Sequence, residues 1–175
     1  MILFAAGGTG GHLYPALAIA EALRRRDPAV EIAFTGTPDH LEAQVVPGEG
    51  YPFFPIPVMG LPRRPGPGIL QFFWLLVKGV MQARALISRL GPEVVVGCGA
   101  YVSAPAVIAA RLARIPVLLA ESNAYPGIAN RLLGRLADRV AVAIPGTEAS
   151  FRAGRAICLG NPIRAAFGQI DRSAA

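Results

Sequence analysis

Residues 1–26, MILFAAGGTGGHLYPALAIAEALRRR, constrain the fold more than any other stretch of the chain. Residues 2–6 form an apolar run long enough for one buried strand and far too short to span a bilayer. Gly7, Gly8, Thr9, Gly10 and Gly11 follow without bulk, and His12 and Pro15 come next. Ala16, Ile19, Ala20 and Leu23 then recur at i, i+3, i+4 and i+7, the period of one buried helix face. Pro15 suits a first helical turn, where a missing N–H removes no bond. The order strand, glycine turn, helix aims unpaired backbone N–H groups and the positive end of a helix at whatever lies in front of them. An anion is the natural guest, and four glycines are more than a plain turn requires.

Two phosphate-binding signatures are excluded in detail. The dinucleotide fingerprint GxGxxG, counted from Gly8, needs glycine where Leu13 stands. It also needs an acid at the end of the second strand, where the chain has Phe34, Thr35 and Gly36. The loop GxxxxGK[ST] finds no Lys-Ser/Thr pair to match. The turn is therefore anion-facing without being an NAD site or an ATPase loop.

A length of 175 residues supports one domain with a sizeable core, and 53% hydrophobic residues mean that much of the chain is buried or meets lipid. The net charge of +6 suits nucleic acid, an anionic membrane or phosphorylated ligands. Aromatic residues are only 7% and do not interleave with basic ones, which sets nucleic acid aside. Cys98 and Cys158 form no metal-binding spacing and read as reduced thiols buried in a cytosolic protein; with two histidines in all, no metal site is expected. No signal peptide is visible, because the first apolar run leads straight into glycines.

Beyond the first unit, residues 30–35 read as a second strand. Thr37 or Asp39 is placed to cap a helix running to about Val46, which Pro47 and Gly48 end. Residues 51–58 hold three prolines and read as an edge strand at best. Residues 59–68 form a loop carrying Arg63 and Arg64. Residues 68–90 read as a helix whose start, residues 69–77, is apolar on every side and is followed by Lys78. Such a helix is buried, or it packs one face on the sheet and presents Phe72, Phe73 and Trp74, with Arg63, Arg64 and Lys78 around them, to an anionic bilayer.

Residues 93–96 are a fourth strand leading into a second glycine turn, 97–103, and Pro105 opens a helix ending near Arg114. Residues 116–120 are a fifth strand ending at Glu121, and Pro126 opens a helix through Asn130 to about Leu136. Residues 139–143 and 155–159 complete seven strands. Alternating strands and helices predict an α/β, Rossmann-like, doubly wound and mainly parallel sheet, with ligands at the rim of strand C-termini. Polar residues gather after four strand ends: Thr9 and His12, Tyr101 and Ser103, Glu121 and Asn123, Asn161 and Arg164. Taken singly, Ser103 could be a helix cap, Asn123 and Asn161 Asx-turns, Arg164 a surface charge and His12 a turn residue. Glu121, leaving a buried strand, must be paired or solvated.

The motifs GGTGGHLYPALAIAEAL, GCGAYVSAP, AESNAYPGIANRLL and GNPIR occur in that order and cover nearly the whole chain. Together they closely resemble the N-terminal half of the MurG family of bacterial glycosyltransferases. The resemblance implies the first of two Rossmann-like domains of a GT-B enzyme, with residues 1–164 as acceptor-binding domain and 165–175 as tail or start of a linker. On that resemblance, the donor-binding domain is expected to lie outside these 175 residues. It implies inverting transfer of N-acetylglucosamine from UDP-N-acetylglucosamine to undecaprenyl-pyrophosphoryl-N-acetylmuramyl-pentapeptide in peptidoglycan synthesis, at the cytoplasmic face of the bacterial plasma membrane. No metal or other cofactor is implied.

Carried over by motif, Thr9, Gly10, Gly11, Asn123 and Arg164 would contact the donor, with the first glycine turn also facing the acceptor pyrophosphate. Gly99, Tyr101, Ser103 and Asn130 would serve the acceptor. His12 is the favoured general base and Glu121 the second candidate. Where the family often has His-Glu-Gln-Asn, this chain has Ala120, Glu121, Ser122 and Asn123. The alternative function is a membrane-anchoring, acceptor-binding subunit that recruits a separate catalytic chain.

Overall fold

A computed structural model describes residues 1–62, 64 and 66–164 of the chain. Arg63 and the expected tail at 165–175 lie outside the described residues. Seven strands form one sheet: β1 (Ile2–Ala5), β2 (Ile32–Gly36), β3 (Phe53–Pro55), β4 (Val94–Gly97), β5 (Val117–Glu121), β6 (Arg139–Val142) and β7 (Ala156–Cys158). Their order is β3-β2-β1-β4-β5-β6-β7, and every neighbouring pair is parallel. The predicted doubly wound sheet is what forms. Its direction of growth reverses between β1 and β4, where Phe4 stands in register with Phe34 on one side and Val96 on the other. In an open sheet that reversal opens a crevice at the strand C-termini.

The apolar runs are two-sided because the sheet is covered on both faces. Leu3 and Ala5 point into a layer with Val95, Val117 and Leu119. Phe4 and Ala6 point the other way, toward Phe34, Val96 and Cys98. The second layer is closed by α1 (Gly10–Arg26) and α2 (Leu41–Gly48), and the first by α3 (Gly68–Leu90), α4 (Ala104–Leu112) and α5 (Ile128–Leu133). Pro55 closes β3 at the sheet edge, where a missing donor does no harm.

Several boundaries differ from expectation. Helix α1 begins at Gly10 after the N-cap Thr9, so Pro15 lies inside it. The bond Pro15 forgoes belongs to the carbonyl of Gly11, an exposed residue of the first turn that water can serve. Helix α2 has His40 rather than Thr37 or Asp39 at its N-cap position, without a side-chain capping bond, and Pro47 lies within its last turn. Thr37 is unavailable as a cap because it is buried against Glu42. Helix α4 follows a short 3-10 turn (Ala100–Ser103) and stops at Leu112, and Arg114 takes φ 60°. Helix α5 ends at Leu133.

The fully buried reading of α3 is corrected. Its C-terminal half packs through Ala83, Leu86 and Ile87, but Phe73 is 54% and Trp74 61% exposed, with Leu70, Val77 and Met81 also outward. Phe72 is half-buried. Lys78 is exposed and holds its ammonium 5.0 Å from the centroid of the Trp74 ring, one helical turn away. Counted from Pro67, this helix is long and apolar enough to cross a membrane by length and composition, yet half of it is tied to the sheet.

Candidate active site

The site grows from the point where β1 and β4 end side by side. Beyond β1, Gly7 and Gly8 take φ of +151° and +82°. A Cβ on Gly7 would sit 2.2 Å from both Cδ and Oε1 of Glu42, so only glycine fits there. Glu42 is completely buried. Its Oε2 accepts the N–H of Gly8 at 3.1 Å, and its Oε1 accepts the N–H of Thr37 at 2.9 Å together with the Thr37 hydroxyl. One carboxylate thus ties the first glycine turn to the end of β2. Sequence reasoning missed Glu42. The available signal was its place four residues before Val46, on the buried face of α2.

With the turn held from below, α1 starts at its outer edge. The carbonyl of Thr9 accepts the N–H groups of His12 and Leu13, both at 3.1 Å. The Thr9 side chain makes no capping bond, which leaves the first-turn amides of Gly10 and Gly11 for solvent or a ligand. Thr9 and Gly11 are exposed, and Gly10 and His12 half-buried. Among the described residues no hydrogen-bond or ion-pair partner engages the His12 imidazole.

The second glycine turn backs onto the first. The Cys98 N–H donates to the Ala5 carbonyl at 2.8 Å, and a Cβ on Gly99 would meet Gly7 N at 2.9 Å. Tyr101 is half-buried, with its hydroxyl 3.9 Å from where a Gly8 Cβ would stand. Gly99 and Ser103 are buried, and the Ser103 N–H donates to the Gly99 carbonyl at 2.9 Å. Burial pushes the Cys98 thiol up to about 12, which removes it as a nucleophile near neutral pH. Cys158 is also a free thiol but only half-buried, correcting the expectation that both are core.

At the end of β5, Glu121 is 2% exposed. Its Oε1 accepts the Asn123 N–H and the Asn123 side-chain amide, both at 2.8 Å. Its Oε2 accepts the side-chain amide of Asn130 at 2.6 Å. Asn123 itself is exposed, so its Oδ1 faces outward from a pinned side chain. A cavity of about 180 Å³ beside Glu121 is lined also by Ile19, Gly160 and Asn161. Among the described residues no three His, Cys, Asp or Glu side chains cluster as metal ligands would.

The structure brings Thr9, Gly10, Gly11, His12 and Tyr101 together around the glycine turns, and Glu121, Asn123 and Asn161 around the β5 and β7 ends. Gly99, Ser103 and Asn130, expected at the acceptor, lie beneath the surface, because each supports a loop rather than lining it. Arg164, expected at the donor, sits on the α1–α2 layer. It donates to Glu49 through Nη1 at 2.8 Å and Nη2 at 2.7 Å, with Glu21 3.7 Å from Nε. The bonds to Glu49 hold its guanidinium pKa above the usual value. Beside it the Arg24 guanidinium lies 4.0 Å over the Tyr51 ring.

Comparison with known proteins supplies the family. The glycosyltransferase family 28 N-terminal domain matches residues 2–142. A Nocardioides protein named UDP-N-acetylglucosamine–N-acetylmuramyl-(pentapeptide) pyrophosphoryl-undecaprenol N-acetylglucosamine transferase is 47% identical over 99% of this chain and 46% of its own length. The protein of the same name from Salinibacter ruber is 44% identical over 99% of this chain and 47% of its own. The chain thus spans about half the length of these relatives. The crystal structure of Acinetobacter baumannii MurG superposes with a TM-score of 0.76 at 30% identity, over 93% of this chain and 45% of that one. UDP-GlcNAc 2-epimerase from Methanocaldococcus jannaschii shares the fold, with a TM-score of 0.68 at 14% identity over 92% of this chain and 46% of that one. These findings agree with the resemblance carried by the four motifs: the chain belongs to glycosyltransferase family 28, as its N-terminal domain.

Proposed function

We propose that this chain is the acceptor-binding half of an inverting transferase that moves N-acetylglucosamine from UDP-N-acetylglucosamine to a lipid-linked muramyl-pentapeptide. The observation that carries the reading is the start of α1. Two glycine amides lie open next to a half-buried imidazole that has no partner among the described residues, and Tyr101 approaches the same turn at Gly8. An acceptor pyrophosphate fits the amides and the helix end. His12 is then placed to take the proton from the acceptor 4-hydroxyl as that oxygen attacks the anomeric carbon. Glu121 is poorly suited to the same role, since both of its oxygens already accept N–H groups. It positions Asn123 toward the donor. For Arg164 to reach the donor it must first leave Glu49.

Stabilisation of departing UDP belongs largely to the second domain, so this chain alone is expected to show almost no transfer. The test is transfer from labelled UDP-N-acetylglucosamine to a lipid acceptor, by this chain alone and joined to the C-terminal half of the Nocardioides relative. The joined protein should be active. His12→Ala in it should lower kcat by roughly 10²–10⁴-fold with little change in donor KM. Unchanged kcat makes His12 a turn residue.

The carrier lipid requires the domain to meet a membrane, and the outward Phe73, Trp74 and Lys78 of α3, with Arg64 before the helix and Arg63 next to it in sequence, suit an anionic surface. The proposed location is the cytoplasmic face of the bacterial plasma membrane. Co-sedimentation with anionic vesicles should weaken with salt, with Lys78→Glu and with Phe73→Ser/Trp74→Ser, while the thermal melt stays within a few degrees of the parent. Unchanged sedimentation of all variants removes α3 from the membrane contact.

A further inference from the structure

On the sheet face covered by α3, α4 and α5 lies a cavity of about 580 Å³ that the transfer chemistry leaves unused. Its walls include Leu61, Phe72, Leu76, Ile108 and Leu132, and Tyr101 stands among them. Among the described residues, the Tyr101 hydroxyl is the one polar side-chain group in the lining, and no charged side chain takes part. A sugar or nucleotide placed here would leave its hydrogen-bonding groups without partners. A peptide segment would do the same with its backbone N–H and C=O groups. A hydrocarbon chain brings no such groups.

The position of the cavity narrows the choice further. Tyr101 is shared with the glycine turns, its hydroxyl 3.9 Å from where a Gly8 Cβ would stand. Phe72 and Leu76 belong to α3, whose neighbouring Phe73, Trp74 and Val77 are exposed on the outer side. The groove therefore adjoins an anion-facing turn at one wall and an exposed apolar helix at another. A ligand matched to both has a phosphate head followed directly by a hydrocarbon chain.

We infer that this groove takes the head-proximal isoprene units of a polyprenyl diphosphate carrier, drawing them out of the bilayer so that the diphosphate reaches the amides of Gly10 and Gly11. The inference rests on the acceptor reading given above for the chain. Under it, α3 meets the membrane surface while the adjoining groove guides the first few units of the chain.

The experiment uses the 175-residue chain without membrane or detergent, and titrates it calorimetrically with farnesyl diphosphate, farnesol and inorganic pyrophosphate. Farnesyl diphosphate should bind at least tenfold more tightly than pyrophosphate. Ala129→Trp, which fills the groove from α5, should weaken farnesyl diphosphate and farnesol by tenfold or more and leave pyrophosphate unchanged. Leu132→Ser, at a residue more than half exposed, gives a second variant that does not depend on accommodating a large ring. Farnesyl diphosphate binding no tighter than pyrophosphate, or insensitive to both variants, overturns the inference. So does a groove that Ala129→Trp shows to be an interface between two copies, through loss of a dimer with no prenyl binding in either form. If farnesol and farnesyl diphosphate bind equally and both variants weaken them, the groove stands and the anion-binding reading of the glycine turn falls.

Discussion

Glu42 and Glu121 solve the same problem in opposite ways. Both are buried carboxylates near the C-terminal edge of the sheet, and among the described residues neither forms an ion pair. Neutral N–H and O–H donors satisfy each. Glu42 takes two backbone N–H groups and the Thr37 hydroxyl, and so sets the path of the chain. Glu121 takes one backbone N–H and two side-chain amides, and so sets the pose of Asn123. Backbone donors cannot move away when their acceptor is removed, whereas an exposed side chain can turn to water. The first carboxylate is thus part of the fold and the second is part of the display of a residue.

The largest effect should come from Glu42→Ala. It leaves the buried Thr37 N–H and hydroxyl without an acceptor and opens a void under Gly7, at a cost of about 4 kcal/mol. Gly7→Ala should cost about 3 kcal/mol, since its Cβ meets the same carboxylate from a backbone that disfavours side chains. In the Glu42→Ala background, Gly7→Ala should cost clearly less, because the clashing atoms are gone. Urea unfolding of the two single variants and the double variant measures this. Strict additivity would mean that the carboxylate and the glycine turn are not one unit.

An intermediate effect is expected at Asn130. Asn130→Ala removes the donor on Glu121 Oε2 within a buried setting and should cost about 2 kcal/mol. Asn130→Asp should cost more, by placing a second carboxylate against the first. If Asn130→Ala is silent in the same unfolding series, Glu121 is better solvated than its burial implies, and the contrast with Glu42 weakens.

The contrast also explains what could be read from the residues. All seven strands were legible, because a sheet covered on both faces demands continuous apolar runs such as Leu3 to Ala6 and Val94 to Val96. The glycine turns were legible because few side chains tolerate such close backbone approach. Glu121 stood out as a charge at the end of an apolar strand. Glu42 did not, since an acid in the first turn of a helix is ordinarily solvated and favourable to the dipole. Ser103 and Asn130 sit in motifs that read as site residues, but a motif does not say which face of a turn or short helix each residue occupies. Arg164 was grouped with the rim by its closeness to a strand end. Its partner Glu49 is 115 residues away in sequence, beyond the reach of any local pattern.

The smallest stability effect should come from Asn123→Ala, and this substitution separates display from fold most sharply. Asn123 is exposed, and its own backbone N–H still reaches Glu121 Oε1 at 2.8 Å after the side chain is cut. Oε2 keeps Asn130, so no buried group is orphaned. The expected cost is about 0.5 kcal/mol, the low end for one hydrogen bond in contact with water. In the enzyme completed with a C-terminal domain, the same change should raise the donor KM several-fold while kcat falls less, because a group that binds ground state and transition state alike is lost. Asn130→Ala should raise the donor KM too, but only together with its loss of stability, since it acts on Asn123 through Glu121. A melt and a donor titration on the two variants decide the matter. If Asn123→Ala destabilises as much as Asn130→Ala with the donor KM unchanged, then Asn123 is one more strut of the β5 loop, and Glu121 belongs with Glu42 as a carboxylate of the fold.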